Sequence, residues 1–103
     1  MNVDDYFAIQ NLLFSYPATL DKGDFDGVGE LFKHARVISG GRVMADRNAK
    51  DMADSFKNWV ITYPDGTPRT RHFISNVQIT PLSEHRAQIS SYVMVFQQTD
   101  TLP

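Results

Sequence analysis

Cysteine is absent from this chain of 103 residues. Its absence excludes disulfide bonds, thiolate nucleophiles and cysteine-ligated zinc or iron–sulfur centres. The chain also has no excess of basic residues, since its formal net charge is −2. We therefore expect no nucleic-acid partner and no attraction to anionic membrane surfaces, because both depend on positive charge.

Long apolar runs are lacking as well, and no stretch approaches the roughly 20 residues that cross a bilayer. The first ten residues carry acidic side chains where a signal peptide would carry basic ones, and no apolar segment follows them. These two absences predict a cytoplasmic protein that does not enter a membrane.

The remaining composition is typical of one packed domain. Hydrophobic residues make up 42 % and aromatic residues 12 % of the sequence, which is enough for a single core in a chain of this length. No internal repeat, linker or low-complexity segment divides the sequence. We therefore expect residues 1–103 to form one domain.

The N-terminal third of the chain predicts two helices. Apolar residues recur at helical spacing over residues 9–20, and Pro17 within that run predicts a bend one turn earlier. Gly23 suits the left-handed end of this helix. Asp24 suits the N-cap of a second helix over about 25–33.

The middle of the chain predicts a short strand and a third helix. The strand covers residues 35–39 and stops at Gly40 and Gly41. Asp46 is the expected N-cap of the helix. The expected buried face of this helix consists of Ala49, Met52, Ala53, Phe56, Trp59 and Val60.

The C-terminal part predicts a hairpin of two long strands, over residues 71–80 and 86–99, joined by the loop 81–85. The residues that alternation places on one face of the first strand are His72, Ile74, Asn76 and Gln78. The order α-α-β-α-β-β predicts an α+β fold, with about three N-terminal helices packed on a curved, mostly antiparallel sheet.

Asp21 is the unusual residue of the first helix. It lies at the helix C-terminus, where the macrodipole disfavours a negative charge, so a histidine or arginine partner is expected. Tyr16 lies five residues earlier, about 140° round an ideal helix, and only a bend or a looser last turn would bring both side chains to one cavity. In the alternative interpretation, Asp21 is a solvated loop residue beside Lys22.

Three segments together carry a resemblance to a known family: "AIQNLLFSYPATLDKGDFDGVGELF", "TRHFISNVQI" and "SSYVMVFQ". Their order and spacing are similar to those of the SnoaL-like family, part of the nuclear transport factor two-like superfamily, over nearly the whole chain. The resemblance implies a cone-shaped α+β fold. "RHFISN" is the part most specific for the branch that contains dehydratases and a dehydrochlorinase.

The resemblance also implies an active site. Asp21 resembles an aspartate that pairs with a histidine on the strand after the third helix, and His72 matches that histidine. Tyr16 matches a pocket tyrosine five residues before the aspartate, and all three side chains would point into the mouth of the cone. The implied protein is a cofactor-independent dehydratase, isomerase or cyclase acting on a small hydrophobic, cyclic molecule such as a polyketide.

This assignment agrees with the chemistry of the side chains. A histidine with an unperturbed pKa of about 6.5 can accept a proton near neutral pH. A carboxylate on its other ring nitrogen fixes the tautomer and stabilises the imidazolium, and a tyrosine hydroxyl can stabilise developing negative charge. In the alternative interpretation, the Asp–His pair is a packing contact between helix and sheet.

Six further residues are candidates for the wall of the substrate pocket, either as polar groups or as apolar wall residues. The polar ones are Asn76 and Tyr92, and the apolar ones are Trp59, Phe56, Phe32 and Met94. Each belongs to a residue type that also occurs in an ordinary core. The three histidines are scattered without ligand spacing, so no metal site is expected.

Two departures from the family bear on function. No carboxylate occurs between Glu30 and Asp46, which excludes the general base of ketosteroid isomerases of this fold. Family members also continue with two further strands, so we expect the sequence to be incomplete at its C-terminus. A homodimer or higher oligomer through the sheet face is expected. The alternative function is a non-catalytic domain of the same fold for small-ligand binding or oligomerisation.

Overall fold

The computed structural model describes residues 1–99. Three helices pack against antiparallel strands, which confirms the predicted α+β class. The elements are α1 (Val3–Asp21), α2 (Phe25–Leu31), β1 (Arg36–Ser39), β2 (Arg42–Asp46), α3 (Ala49–Trp59), β3 (Thr70–Ser83) and β4 (Arg86–Gln97). Within this range β1 pairs with β2 and β3 with β4, and no barrel closes. None of the described helices has the length and apolar character needed to cross a bilayer.

Helix α1 begins with a reciprocal cap. The Asn2 side chain accepts the backbone N–H of Asp5 at 3.0 Å, and the Asp5 carboxylate accepts the backbone N–H of Asn2 at 3.0 Å. The helix continues through the buried Pro17 and ends at Asp21. Gly23 follows with a φ of 79°, which confirms the predicted left-handed end.

Helix α2 begins at the predicted cap and lies against both other helices. Asp24 Oδ1 accepts the backbone N–H of Gly27 at 2.9 Å. The helix ends at Leu31, two residues earlier than predicted. Its Val28 is fully buried, and its contacts with α1 and α3 place it at the centre of the helical layer.

The hairpin of β1 and β2 was not predicted in full. Gly40 and Gly41 both have positive φ and form the turn between the two strands, whereas the sequence predicted a single strand that stops at them. The predicted cap at Asp46 is therefore wrong, because Asp46 is the last residue of β2 and pairs with Arg36. Asn48 caps α3 instead, and its Oδ1 accepts the N–H of Asp51 at 3.0 Å.

The hairpin of β3 and β4 is longer than predicted and contains a bulge. Its strands continue to a tight turn at residues 84–85, so the predicted loop 81–85 is shorter. Asn76 has a φ of 53°, and the pairing slips by one residue between Ser75 and Gln78. The bulge reverses the alternation. The prediction that Asn76 and Gln78 share the face of His72 is therefore wrong.

The core lies where α2, α3, β2 and the end of α1 meet. Its most buried apolar side chains are Leu20, Phe25, Val28, Ala45, Met52 and Ala53. The predicted buried face of α3 is confirmed at Met52 and Ala53 but wrong at Trp59, which is 85 % exposed. Trp59 is the last residue of α3. The hairpin of β3 and β4 lies outside this core and contacts the helices through α1.

An exposed apolar surface covers the outer face of the hairpin formed by β3 and β4. Cross-strand partners share a face, and Phe73 pairs with Met94 while Arg71 pairs with Phe96. All three apolar side chains are more than half exposed, and the rings of Phe73 and Phe96 meet edge to face at 5.3 Å. This outer face is opposite to the one that carries His72, and Arg71 and Phe73 also reach the edge of β3 that faces α1.

A substitution at Gly23 tests the contact between the end of α1 and the turn before β3. The positive φ of Gly23 disfavours a side chain, and a Cβ there would also collide with the carbonyl oxygen of Gly66 in the turn before β3. We expect Gly23→Ala to lower the free energy of unfolding by about 2–4 kcal/mol, from left-handed strain and overpacking together. Gly41→Ala is the matched control, because Gly41 has a φ of 78° with nothing within 4 Å.

In the control, the free energy of unfolding should fall only by the cost of the left-handed strain, about 1–2 kcal/mol. Urea unfolding of the two variants and the wild type measures both losses. Equal losses in the two variants would contradict a close contact between Gly23 and the turn at Gly66.

Candidate acid–base site

Asp21 and His72 are in direct contact. Asp21 is the last residue of α1, and His72 is the third residue of β3. The imidazole Nδ1 lies 2.6 Å from Asp21 Oδ1. Their side chains are only 11 % and 10 % exposed, so the contact is largely shielded from water. The interaction expected from the resemblance is therefore present as a short hydrogen bond.

Two further hydrogen bonds hold the Asp21 carboxylate. The hydroxyl of the buried Thr70 donates to Oδ1 at 2.7 Å, and the backbone N–H of His72 donates to Oδ2 at 3.0 Å. Thr70 was not predicted as a site residue. The sequence did carry a signal for it, since Thr70 precedes His72 by two residues and a strand places such residues on one face.

The hydrogen bonds decide the charge of Asp21. Burial of the carboxyl raises its pKa and is the largest single effect. Hydrogen bonds from the Thr70 hydroxyl and from the backbone and ring of His72 act in the opposite direction, as does the nearby imidazole. Together they outweigh burial and hold the pKa of Asp21 below its ordinary value. Asp21 is therefore an anion at neutral pH, despite its position at a helix C-terminus.

An ionised Asp21 also determines the tautomer of His72. A carboxylate only accepts hydrogen bonds, so the neutral imidazole carries its proton on Nδ1 and leaves a lone pair on Nε2. Nε2 has no hydrogen-bond partner within residues 1–99, and no side-chain nitrogen or oxygen of that range is both sealed from solvent and unpaired. Nε2 therefore has a lone pair that no other group uses, and it is not completely sealed from solvent.

An open cleft lies between α1 and β3 beside this pair. Its volume is about 730 Å³, and Asp21 and His72 form part of its wall. The apolar part of the wall consists of Phe14, Pro17, Ala18, Phe73 and Ile74. The sequence had instead predicted one cavity, at the mouth of the cone, shared by Tyr16, Asp21 and His72.

Tyr16 lines a separate apolar hollow of about 330 Å³. The other main lining residues are Ile9, Leu12, Leu13, Leu31, Phe32 and Ile89. The Tyr16 ring lies 6.3 Å from the His72 imidazole and 5.3 Å from Phe32, in edge contacts. The three predicted catalytic residues are thus neighbours, but Tyr16 and Asp21 face different cavities from different sides of α1.

The Tyr16 phenol remains a hydrogen-bond donor. Burial raises its pKa, and the negative charge of Asp21 raises it further. The hydroxyl makes no hydrogen bond within residues 1–99 and is not sealed from solvent. A ligand in the hollow can therefore accept a hydrogen bond from the Tyr16 hydroxyl.

The structure does not bring most of the predicted wall residues to this site. Tyr92 and Met94 lie on the outer face of the hairpin, 69 % and 60 % exposed, because they pair with Ser75 and Phe73 rather than with the strand positions that face α1. Asn76 is exposed at the bulge. Trp59 lies exposed at the end of α3.

Two of the predicted wall residues do lie near Tyr16. Phe32 lines the apolar hollow itself. Phe56 packs against the core, with its ring 6.2 Å from that of Tyr16. The hollow is thus bounded by residues of α1, α2 and β4, and the wall expected from α3 is limited to this ring contact.

Comparison with known proteins places the chain in a family. The family model for the SnoaL-like domain matches residues 1–102. The chain therefore belongs to the SnoaL-like family of the nuclear transport factor two-like superfamily. No curated protein and no solved structure gives a significant match.

The lowered pKa of Asp21 predicts a pH dependence of stability. The carboxyl binds its proton more weakly in the folded than in the unfolded chain, so its stabilising effect is complete above the unfolded pKa of about 3.9 and is lost as the pH falls through the folded value. We expect wild-type stability to decrease on acidification below about pH 5. In Asp21→Asn, the free energy of unfolding should depend less steeply on pH in this range, because the titrating carboxyl is gone.

Urea unfolding between pH 7 and pH 3 measures both slopes. Thr70→Ser, which keeps the hydroxyl, should retain the wild-type slope, and Thr70→Val should show a shallower one. Parallel pH profiles for the wild type and Asp21→Asn would show that the hydrogen bonds do not lower the pKa of Asp21.

Proposed function

We propose that this domain is a cofactor-independent acid–base enzyme, a lyase or isomerase acting on a small hydrophobic, cyclic substrate. The observation that carries the proposal is the shielded hydrogen bond between Asp21 and Nδ1 of His72, which leaves the lone pair of Nε2 to act as the base. The SnoaL-like family includes isomerases and cyclases, which supports the same class of reaction.

The chemistry begins with proton abstraction. Nε2 of His72 takes a proton from an acidic C–H of the substrate, and the electron pair of that bond moves toward an adjacent carbonyl or leaving group. Asp21 stays ionised and stabilises the imidazolium without accepting its proton. The imidazolium then returns the proton, either to another carbon in an isomerisation or to the departing oxygen in a dehydration.

The apolar hollow supplies the binding part of the proposal. Its volume of about 330 Å³ is at the small end of ligand pockets and its wall is almost wholly apolar, which fits a ring system of few polar groups. Tyr16 lies in that wall, with its ring 6.3 Å from the His72 ring, which itself lines the cleft between α1 and β3. A substrate held in the hollow therefore has to extend past Tyr16 to bring its acidic C–H to Nε2. The protonated Tyr16 hydroxyl would donate to the oxygen on which negative charge develops.

A second candidate function is favoured by the exposed outer face of β3 and β4. Phe73, Met94 and Phe96 form an apolar surface there, of a kind that marks protein interfaces. A non-catalytic assembly domain would use this surface without any reaction at His72. A homodimer through this face stays a prediction, and it is compatible with both functions.

Proton abstraction can be tested without knowing the natural substrate. Deuterium exchange into the acidic C–H positions of bicyclic ketones, such as 2-decalone, is followed by NMR in D₂O. The wild type should accelerate exchange over buffer. His72→Gln and Asp21→Asn should reduce that acceleration by about 10²–10⁴-fold, the usual contribution of a general base.

His85→Gln is the matched control, because His85 lies in the turn between β3 and β4 and should leave exchange unchanged. Tyr16→Phe should slow exchange while keeping the fold. Wild-type exchange no faster than that of His72→Gln, across the ketones tried, would overturn the enzymatic proposal and favour the assembly domain.

A further inference from the structure

The cleft between α1 and β3 carries two basic side chains that the proposed reaction does not use. Lys22 follows Asp21 at the end of α1, and Arg71 precedes His72 in β3, and both line the cleft. Both are exposed. Neither has a carboxylate partner within residues 1–99.

The acidic groups of the same cleft are already engaged. Asp21 accepts its three hydrogen bonds from Thr70 and His72. Asp65 accepts the backbone N–H and the hydroxyl of Thr67, both at 2.9 Å, and lies 3.6 Å from Nε of Arg69. Within residues 1–99 neither carboxylate forms an ion pair with Lys22 or Arg71, so both cations remain available to an anionic ligand.

Arg71 is also oriented. Its Nη1 donates to the backbone carbonyl of Thr70 at 2.8 Å, which holds the guanidinium against the edge of β3. The remaining N–H groups of the guanidinium are left to bind a planar carboxylate, which matches their fork geometry. Phe14, Pro17 and Phe73 provide apolar surface in the same cleft.

From this juxtaposition we infer that the cleft is a binding site for an aromatic or cyclic monocarboxylate, with the carboxylate on Lys22 and Arg71 and the ring against the apolar wall. The inference goes beyond the proposed reaction and does not depend on it. The cleft and the hollow of Tyr16 share no lining residue, so the carboxylate site is distinct from the hollow.

The site is tested with two probes that differ in charge alone, 2-naphthoate and 2-naphthamide, in amide chemical-shift titrations at neutral pH. The wild type should bind the naphthoate at least about tenfold more tightly than the neutral amide. The shifts should map to Ala18, Phe73 and Ile74. Raising the ionic strength from about 20 mM to about 300 mM should weaken binding of the naphthoate and leave that of the amide unchanged.

The variant Lys22→Gln/Arg71→Gln should bind both probes equally. Arg42→Gln is the control, because Arg42 lies at the start of β2 and does not line the cleft. It should keep the wild-type preference. Equal affinity of the wild type for both probes, or shifts confined to the hollow of Tyr16, would overturn the inference. Inorganic phosphate bound as tightly as the naphthoate would overturn the part played by the apolar wall.

His72→Gln separates this site from the proposed reaction. The variant should keep its preference for the naphthoate even though it loses proton exchange, because the carboxylate contacts do not involve the imidazole. If the wild type binds naphthoate but shows no exchange activity, the carboxylate site is supported and the proposed enzymatic function is overturned. Loss of the naphthoate preference in His72→Gln would contradict the placement of the anion on Lys22 and Arg71.

Discussion

The hydrogen bond between Asp21 and His72 is the interaction on which both the architecture and the proposed chemistry depend. It joins the last residue of α1 to the edge of β3, and Thr70 adds a second donor to the same carboxylate. A negative charge at a helix C-terminus is unfavourable by itself. Three hydrogen bonds compensate for it, and they fix the position and the tautomer of the imidazole at the same time.

The rest of the fold explains why this hydrogen bond matters for the attachment of the β3–β4 hairpin to the helices. The most buried side chains lie among α2, α3, β2 and the end of α1, whereas the hairpin of β3 and β4 meets the helices only through α1 within residues 1–99. Asp21 and Thr70 therefore lie at the boundary between the core and the hairpin. Gly23, just after α1, also lies close to the turn at Gly66 that precedes β3, which is a second contact between the end of α1 and the start of the hairpin.

Local signals predicted the elements whose ends are determined by a few neighbouring residues. The cap at Asp24 and the left-handed Gly23 are of this kind, and the sequence resemblance led to Asp21 and His72. The failures arose in the pairing of strands and at the end of one helix. Gly40 and Gly41 looked like a stop because the strand that follows them is short and mostly exposed, with Ala45 as its one buried residue. The bulge at Asn76 reversed an alternation that the prediction took to be regular. The apolar pattern of α3 overstated the burial of Trp59, which is the last residue of that helix and 85 % exposed.

The central claim is that the Asp21 carboxylate fixes the tautomer of the His72 imidazole, with the proton on Nδ1 and the lone pair on Nε2. The most direct measurement is a long-range ¹H–¹⁵N correlation of the His72 ring, recorded at a pH where the imidazole is neutral, for the wild type and Asp21→Asn. The account predicts the proton on Nδ1 and an unprotonated Nε2 in the wild type. A ring protonated on Nε2, or the same tautomer mixture in both proteins, would contradict it.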